Sequence, residues 1–283
     1  MDTTRPLAVF AYDFDGTLAP GHMQNHAFIP DELGMDRAAF WDEVRVLAQA
    51  QRGDEILAYM HLMLAKARER GLELSLESWR RRGATLRLFP GVEDWFPRQN
   101  ARAAALGLDL RHVIISSGNR ELIEGSPIAG WFERIYASAF MFDADHDAIG
   151  AALAINYTSK TQYLFRINKW TLDEWDNSEI NRVQVPADRP VPFDRIAYFG
   201  DGFTDIPVMR VVTDHGGHAV AVYEPGDPAS ESAALSLRKD GRAHLSGPGD
   251  YSEGAPLDVL ASALLSRMGA DLLARTAVTW PRV

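Results

Sequence analysis

The chain of 283 residues contains no cysteine. It therefore forms no disulfide and offers no thiol for catalysis or metal binding. No apolar run approaches the roughly 18 residues that predict a membrane-spanning helix. Residues 1–6 lack the basic and apolar stretches of a signal peptide. We therefore expect a cytoplasmic protein without a membrane partner.

Basic residues are also in short supply. The chain has 29 Lys and Arg against 39 Asp and Glu, a formal net charge of −10. This balance argues against general binding to nucleic acid. Hydrophobic residues make up 46% of the chain, which is enough for a sizeable core. The length allows one large domain or two smaller ones, and the oligomeric state stays open.

Two aspartates follow the apolar run at residues 8–12. Asp13 and Asp15 are two positions apart, so they share a face if the strand continues through them. Gly16 allows a tight turn directly afterwards. A nucleophile with a neighbouring proton donor needs this kind of arrangement. Taken alone, the segment fits an ordinary polar turn equally well.

Three further apolar segments also end in polar side chains. They supply, in chain order, a hydroxyl pair, a lysine and a second aspartate pair: Ser116 and Ser117, Lys160, and Asp201 and Asp205. In open α/β sheets, ligands bind at the carboxyl ends of the parallel strands. We therefore expect the four polar segments to converge on one site.

These motifs, in this order, resemble those of the haloacid dehalogenase superfamily. The resemblance rests on DFDGT at residues 13–17, on Ser116, on Lys160 and on GDGFTD at residues 200–205. It covers roughly residues 7–19 and 88–210. It implies an α/β fold with a doubly wound, Rossmann-like parallel sheet. A dinucleotide-binding G-x-G-x-x-G motif is excluded because Asp205 stands in place of its third glycine.

The resemblance also implies a role for each motif residue. Asp13 would be the nucleophile and Asp15 the general acid and base, and an aspartate at the second position resembles the phosphatase and phosphomutase branch. The phosphate-binding candidates are Thr17, Ser116, Ser117 and Lys160, with Ser116 favoured over Ser117, and Lys160 over Lys169. The candidate Mg²⁺ ligands are Asp13, Asp15 through its backbone carbonyl, Asp201 and Asp205. For Asp205, a position at a helix N-terminus is an equal alternative.

Residues 20–87 interrupt this pattern with helical periodicity. We interpret them as a small helical cap inserted after the first strand, similar to the C1 cap of the superfamily. Residues 1–19 and 88–283 would then form the catalytic core. The alternative is that these helices belong to the core itself. Residues 36–90 carry ten Lys and Arg against eight Asp and Glu, which suits an anionic substrate.

Several weaker signals point to ordinary structure. His22 and His26 have a spacing that allows a metal pair on a helix, but Pro20 and Gly21 favour a hinge loop. The acidic run at residues 143–147 indicates a solvated turn between two short strands rather than a calcium loop. We also expect a connecting loop at 176–194, mostly loop with a short helix at 225–255, and a final helix at 256–274.

The sequence thus predicts a Mg²⁺-dependent phosphatase. It would hydrolyse a small phosphorylated metabolite, a phosphomonoester, through a phosphoaspartate intermediate. Two alternatives stay open: a phosphomutase of the same fold, and a non-catalytic protein that keeps the fold for binding or regulation. The sequence does not identify the substrate.

Overall fold

A seven-stranded sheet forms the centre of the molecule. The computed structural model describes residues 5–26 and 28–278. The strands are β1 (Leu7–Tyr12), β2 (Asp109–Asn119), β3 (Phe132–Phe142), β4 (Ala148–Leu153), β5 (Ile196–Gly200), β6 (His218–Tyr223) and β7 (Leu245–Pro248). Their spatial order is β4-β3-β2-β1-β5-β6-β7, and every pair is parallel except β3 with β4.

Helices cover both faces of the sheet. They are α1 (Arg37–Gln51), α2 (Glu55–Glu69), α3 (Leu76–Gly83), α4 (Val92–Ala105), α5 (Arg120–Gly125), α6 (Lys160–Lys169), α7 (Asn177–Asn181), α8 (Ile206–Asp214), α9 (Pro228–Lys239) and α10 (Pro256–Val278). Alternate residues of β1 belong to different cores. Phe10 and Tyr12 pack in a cluster with α4 and α10, whereas Val9 and Ala11 pack in a cluster with α6, α8 and α9. The predicted doubly wound α/β fold is confirmed.

The central strand β1 marks the place where the strand order reverses. It pairs with β2 on one side and β5 on the other. After Tyr12 the strand leaves the sheet, and the amide of Asp13 donates a last hydrogen bond to the Phe199 carbonyl at 2.9 Å. The ends of β1, β2 and β5 therefore lie side by side. This is the position at which doubly wound sheets bind ligands.

The helical insert after β1 is anchored to the rest of the chain at α3. Helices α3 and α5 pack on each other at Gly83 and Gly125, and each glycine lies against the backbone of the other helix. A Cβ at Gly83 would lie 2.0 Å from the Leu122 carbonyl oxygen, and one at Gly125 would lie 1.9 Å from the Arg80 carbonyl oxygen. Only glycine fits at such a crossing. Helices α1 and α2 pack on each other, and α2 also contacts β4.

The second half of the chain is more ordered than its composition predicts. The expected loop at 176–194 contains the short helix α7. In the segment 225–255 the expected helix is present as the twelve-residue α9, and the edge strand β7 is additional. The β7 segment, LSGP, has no alternating pattern, so only its pairing with β6 defines it as a strand. The expected hairpin around residues 143–147 is present as β3 and β4. Across the described ranges, no helix is both long and apolar enough to cross a bilayer.

A buried carboxyl group makes the stability of this fold sensitive to pH. Glu121 is 2% exposed; its Oε1 accepts a hydrogen bond from the Phe140 amide at 2.9 Å, and its Oε2 has no partner in the described chain. Burial raises the pKa of Glu121 from 4.5 to about 7. Between these two values the unfolded chain loses the proton while the folded chain keeps it, so stability falls as pH rises.

We predict that Glu121→Gln, which removes this titration, gains stability relative to the parent protein as pH rises. The relative gain between pH 4.5 and pH 8 should be on the order of 1–3 kcal/mol. Urea unfolding of both proteins at several pH values measures it. Glu69→Gln, at an exposed glutamate, is the control and should show no such trend. A difference between the Glu121→Gln and parent proteins that does not change with pH would contradict the prediction.

Candidate active site

A buried lysine joins two of the predicted motifs. The Lys160 Nζ donates to Asp13 Oδ2 and to Asp205 Oδ1, each at 2.8 Å. Lys160 and Asp205 are fully buried and Asp13 is 5% exposed. Burial lowers the pKa of Lys160, but the charges of Asp13 and Asp205 reverse this and hold it above its usual value. The lysine therefore stays charged between the two carboxylates.

The Asp205 carboxylate holds the groups around it in position through hydrogen bonds. Its Oδ1 accepts a hydrogen bond from the Tyr198 hydroxyl at 2.6 Å, and its Oδ2 accepts one from the Asp201 amide at 3.1 Å. Asp205 stands at the N-cap of α8 but makes no side-chain cap bond there. Its carboxylate thus orients Lys160 and the backbone of Asp201. Tyr198 was not among the predicted residues, because an aromatic inside an apolar strand looks like ordinary core.

Three carboxylates lie close enough together to hold a metal ion. One oxygen each from Asp13, Asp201 and Asp205 lies within 4.8 Å of the other two. Burial, together with the charges of Asp205 and Asp13, raises the pKa of Asp201 well above its usual value. Likewise, burial raises the pKa of Asp13 to about 6, although Lys160 opposes the rise. One lysine does not balance this set, and a hard divalent cation with oxygen ligands would fit it.

Gly16 shapes the space beside these carboxylates. Its φ of +67° lies in the left-handed region, and a Cβ built on it would lie 2.2 Å from Asp201 Oδ2. A side chain at this position would displace Asp201 and strain the turn. The glycine after Asp15 is therefore required both for the backbone conformation and for the approach of β5 to the β1 turn.

Asp15 lies at the edge of the cluster, toward the helical insert. Its Oδ1 accepts a hydrogen bond from the Met23 amide at 2.8 Å, and its Oδ2 lies 3.8 Å from His22 Nδ1. The hydrogen bond and charge of Asp15 raise the pKa of His22 against the effect of burial. His22 and Met23, which follow the turn at Gly16, thus hold the Asp15 carboxylate in place.

The three predicted hydroxyl groups are not equivalent. Ser116 is buried, and its Oγ accepts a hydrogen bond from the Gly118 amide at 3.1 Å. The Ser117 Oγ is buried without a partner in the part of the chain that the structure describes. Both serines line the cavity in front of Asp13 and Asp15. Thr17 is fully buried and does not line it, so the structure separates Thr17 from the two predicted serines.

A cavity of about 670 Å³ opens in front of Asp13, Asp15 and Asp201. Its walls come from the motif loops, from the first two helices of the insert, and from the loop after β6. Lys160 and Asp205 lie behind the first layer and do not line it. Five of the predicted residues thus line a single cavity together with residues of the insert: Asp13, Asp15, Ser116, Ser117 and Asp201.

Polar contacts hold the insert against the motif loops. The Tyr59 hydroxyl donates to the Ser117 carbonyl at 2.7 Å, and the Asn156 Nδ2 donates to Asp54 Oδ2, also at 2.7 Å. Within the insert, the Trp41 Nε1 donates to Asn25 Oδ1 at 3.0 Å. Sequence reasoning missed these residues, since nothing in the spacing of a helical insert shows which side chains reach back to the core.

The rival site residues lie elsewhere. Lys169 Nζ donates to the carbonyls of Ile180 and Arg182, away from the carboxylates. His26 bonds the Pro20 carbonyl through Nε2 at 2.7 Å, while His22 lies beside Asp15, so the two histidines do not form a metal pair. The preference for Lys160 and for a loop at the histidines agrees with this arrangement.

The basic side chains of the insert do not face the cavity. Five of them form ion pairs within the insert or with α5: Arg45 with Asp42, Lys66 with Glu43, Arg80 with Glu124, Arg81 with Glu73, and Arg82 with Glu32. Among the described residues, no Lys or Arg lines the cavity. The expectation that the basic excess of residues 36–90 attracts an anionic substrate is therefore not supported.

The family of the chain follows from a comparison with known proteins. The family model of haloacid dehalogenase-like hydrolases matches residues 10–210, a span that contains all four motifs. The chain belongs to this family, and the predicted hydrolase class is confirmed. An uncharacterized protein of Borreliella burgdorferi is 28% identical over 254 residues, which are 80% of this chain and 87% of that protein.

Solved structures share the fold at low sequence identity. A hydrolase of the family from Salmonella enterica serovar Typhi is 15% identical, with a TM-score of 0.58 over 93% of this chain and 72% of its own. A substrate-bound phosphoserine phosphatase is 14% identical, with a TM-score of 0.51 over 85% and 92%. A probable phosphoserine phosphatase from Vibrio cholerae is 13% identical, with a TM-score of 0.53 over 93% and 66%.

We predict that Lys160→Met lowers the free energy of unfolding by about 3–5 kcal/mol at pH 8. The variant leaves two buried carboxylates without their counter-charge, which costs more than the loss of one hydrogen bond. Lys169→Met is the matched control and should cost at most about 1.5 kcal/mol. Denaturant unfolding of the metal-free proteins measures both. Similar losses in the two variants would mean that the Lys160 bridge contributes little to stability.

Proposed function

We propose that this haloacid dehalogenase-like hydrolase is a Mg²⁺-dependent phosphatase that acts on a small-molecule phosphomonoester through a phosphoaspartate. The observation that carries the proposal is the convergence of five predicted residues from four separate segments: Asp13, Asp15, Ser116, Lys160 and Asp201. Phosphoryl transfer depends mainly on positioning and charge stabilisation, and this cluster offers both. A protein that only binds its ligand has no need for the second acid, Asp15.

In the proposed reaction, an Asp13 carboxylate oxygen attacks phosphorus and the bond from phosphorus to the alcohol oxygen breaks. Asp15 gives its proton to that leaving oxygen. Asp15 then removes a proton from a water molecule, whose oxygen attacks the phosphoaspartate. The bond between phosphorus and Asp13 breaks, which releases phosphate and restores the carboxylate. The Met23 amide holds Asp15 in place for both proton transfers.

Charge on the transferred group would be balanced from two sides. Lys160, already at 2.8 Å from Asp13, lies where it can offset negative charge on the phosphoryl oxygens. The Ser116 and Ser117 hydroxyls are candidates to donate hydrogen bonds to them, and the Ser117 Oγ has no competing partner among the described residues. Asp13 and Asp201, with the Asp15 backbone carbonyl, would hold Mg²⁺, which when bound polarises a phosphoryl oxygen.

The division into a core and a helical cap at residues 20–87 is part of the same proposal. Helices α1 and α2 supply cavity walls and reach the motif loops through the Tyr59 and Asp54 hydrogen bonds. Helix α3 is packed tightly on α5 through Gly83 and Gly125. Opening of the cavity would therefore involve α1 and α2 more than α3, because α3 is fixed by close backbone packing on α5.

We predict that the purified protein releases phosphate from p-nitrophenyl phosphate with Mg²⁺ present. Chelation with EDTA should abolish turnover, and added Mg²⁺ should restore it, because the carboxylate cluster otherwise repels the phosphate dianion. Phosphate release in matched buffers measures both. Equal rates with and without chelator would reject the metal assignment. Absence of turnover on a broad panel of phosphomonoesters would favour the binding-protein alternative.

We predict different kinetic effects for the two aspartates of the first motif. Asp13→Asn should abolish both turnover and the phosphoenzyme. Asp15→Asn should reduce kcat on alkyl phosphates by roughly 10²–10⁴, the usual contribution of a general acid–base. The loss should be smaller on p-nitrophenyl phosphate, whose leaving group needs little protonation. Rapid acid quenching and intact-protein mass spectrometry detect the phosphoenzyme. Its formation by Asp13→Asn would overturn the assignment.

A further inference from the structure

We propose that the alcohol part of the substrate carries a positively charged ammonium group. This inference rests on the proposed phosphatase function and assigns the chemical class of its leaving group. It comes from the part of the cavity wall outside the motif loops, which is built by α1, α2, the loop after β4 and the loop after β6. Those walls combine carboxylates with aromatic rings and contain no Lys or Arg among the described residues.

Four carboxylates belong to this part of the cavity wall: Asp54, Glu55, Glu224 and Asp227. Two of them have a structural task, because Asp54 caps the N-terminus of α2 and Asp227 caps that of α9. The side chains of Glu55 and Glu224 make no hydrogen bond or ion pair with any described residue. They are thus available to a ligand, and Glu224 is partly shielded from solvent.

Aromatic side chains line the cavity together with these carboxylates. Trp41 and Tyr59 pack edge to face with their ring centroids 5.8 Å apart, and Tyr157 is a third aromatic in the lining. Aromatic faces attract ammonium groups, and carboxylates add to this attraction. The His22 ring packs on Trp41, and its Nδ1 lies 3.8 Å from Asp15 Oδ2, so this histidine is paired with a motif carboxylate.

The same wall offers little to an anionic leaving group. Such a group would need a basic side chain or free backbone amides. The exposed start of α2 is the obvious source of amides, but the amides of Ile56 and Leu57 already donate to Asp54 Oδ1 at 2.8 and 3.3 Å. A carboxylate or second phosphate here would therefore meet several negative side chains, with no Lys or Arg among the described lining residues to compensate them.

The test compares charged substrates with neutral analogues of the same shape. Phosphocholine is paired with 3,3-dimethylbutyl phosphate, in which carbon replaces the quaternary nitrogen, and phosphoethanolamine is paired with 2-hydroxyethyl phosphate. We expect kcat/KM to favour the charged member of at least one pair by about tenfold or more. Because the carbon analogue is the more hydrophobic, apolar burial alone would give the opposite preference. L-Phosphoserine, which adds a carboxylate to phosphoethanolamine, should react at least about tenfold less well.

Variants that remove the charges of Glu55 and Glu224 test whether these two carboxylates recognise the ammonium group. Glu55→Gln combined with Glu224→Gln should reduce the preference for the charged member to below about threefold. The ratio within a pair cancels any general loss of activity. Glu93→Gln removes an exposed carboxylate on α4 that does not line the cavity, and it should keep both the activity and the preference.

Activity on p-nitrophenyl phosphate distinguishes failure of the proposed phosphatase function from failure of the ammonium inference. If it is hydrolysed while the neutral analogues react as well as the charged substrates, the phosphatase function stands and the ammonium inference is wrong. A preference that survives in the Glu55 and Glu224 double variant would also overturn the assignment of these residues. If no phosphomonoester reacts at all, the proposed function fails and the inference fails with it.

Discussion

The ammonium group of Lys160 is the interaction on which the rest of the site depends. It is fully buried and joins Asp13, at the end of β1, to Asp205, at the start of α8. Without it, four aspartates near the ends of two adjacent strands would repel one another or take up protons. The helix α6 that carries Lys160 is fixed to the sheet through its own apolar face. Because its own position is fixed, Lys160 can hold the Asp13 and Asp205 carboxylates at a fixed distance from each other.

The position of this charge cluster follows from the sheet topology. The strand β1 lies between β2 and β5, so its last residues are close to the ends of both neighbours. The chain then leaves the sheet at Asp13 and turns at Gly16, where the absence of a Cβ lets Asp201 approach. The backbone thus brings polar side chains together that are almost 190 residues apart in sequence. The apolar cores on both faces of the sheet supply the free energy that keeps them there.

Much of this could be predicted from sequence because the motifs have short, local causes. A short apolar run, a glycine at a turn and a polar residue at a strand end are visible in a single segment, and the order of these motifs carries the family resemblance that implied the fold. Tyr198 and Thr17 show the limit. A tyrosine in a buried strand and a threonine after a glycine carry no sequence signal of which neighbour their hydroxyl meets. Only the packed structure shows that Tyr198 bonds Asp205 and that Thr17 does not line the cavity.

The charge of the helical insert is a second feature whose effect the sequence alone does not show. Its composition is slightly basic, and composition predicts attraction of anions. In the folded chain, however, Arg80, Arg81 and Arg82 pair with glutamates outside the cavity, whereas Asp54 and Glu55 face inward. Field strength depends on distance and burial, so the few charges that line the cavity act on a ligand more than the larger number paired elsewhere. The charges that a ligand meets therefore depend on which face of each helix carries its acids, and the net charge of the segment does not show this.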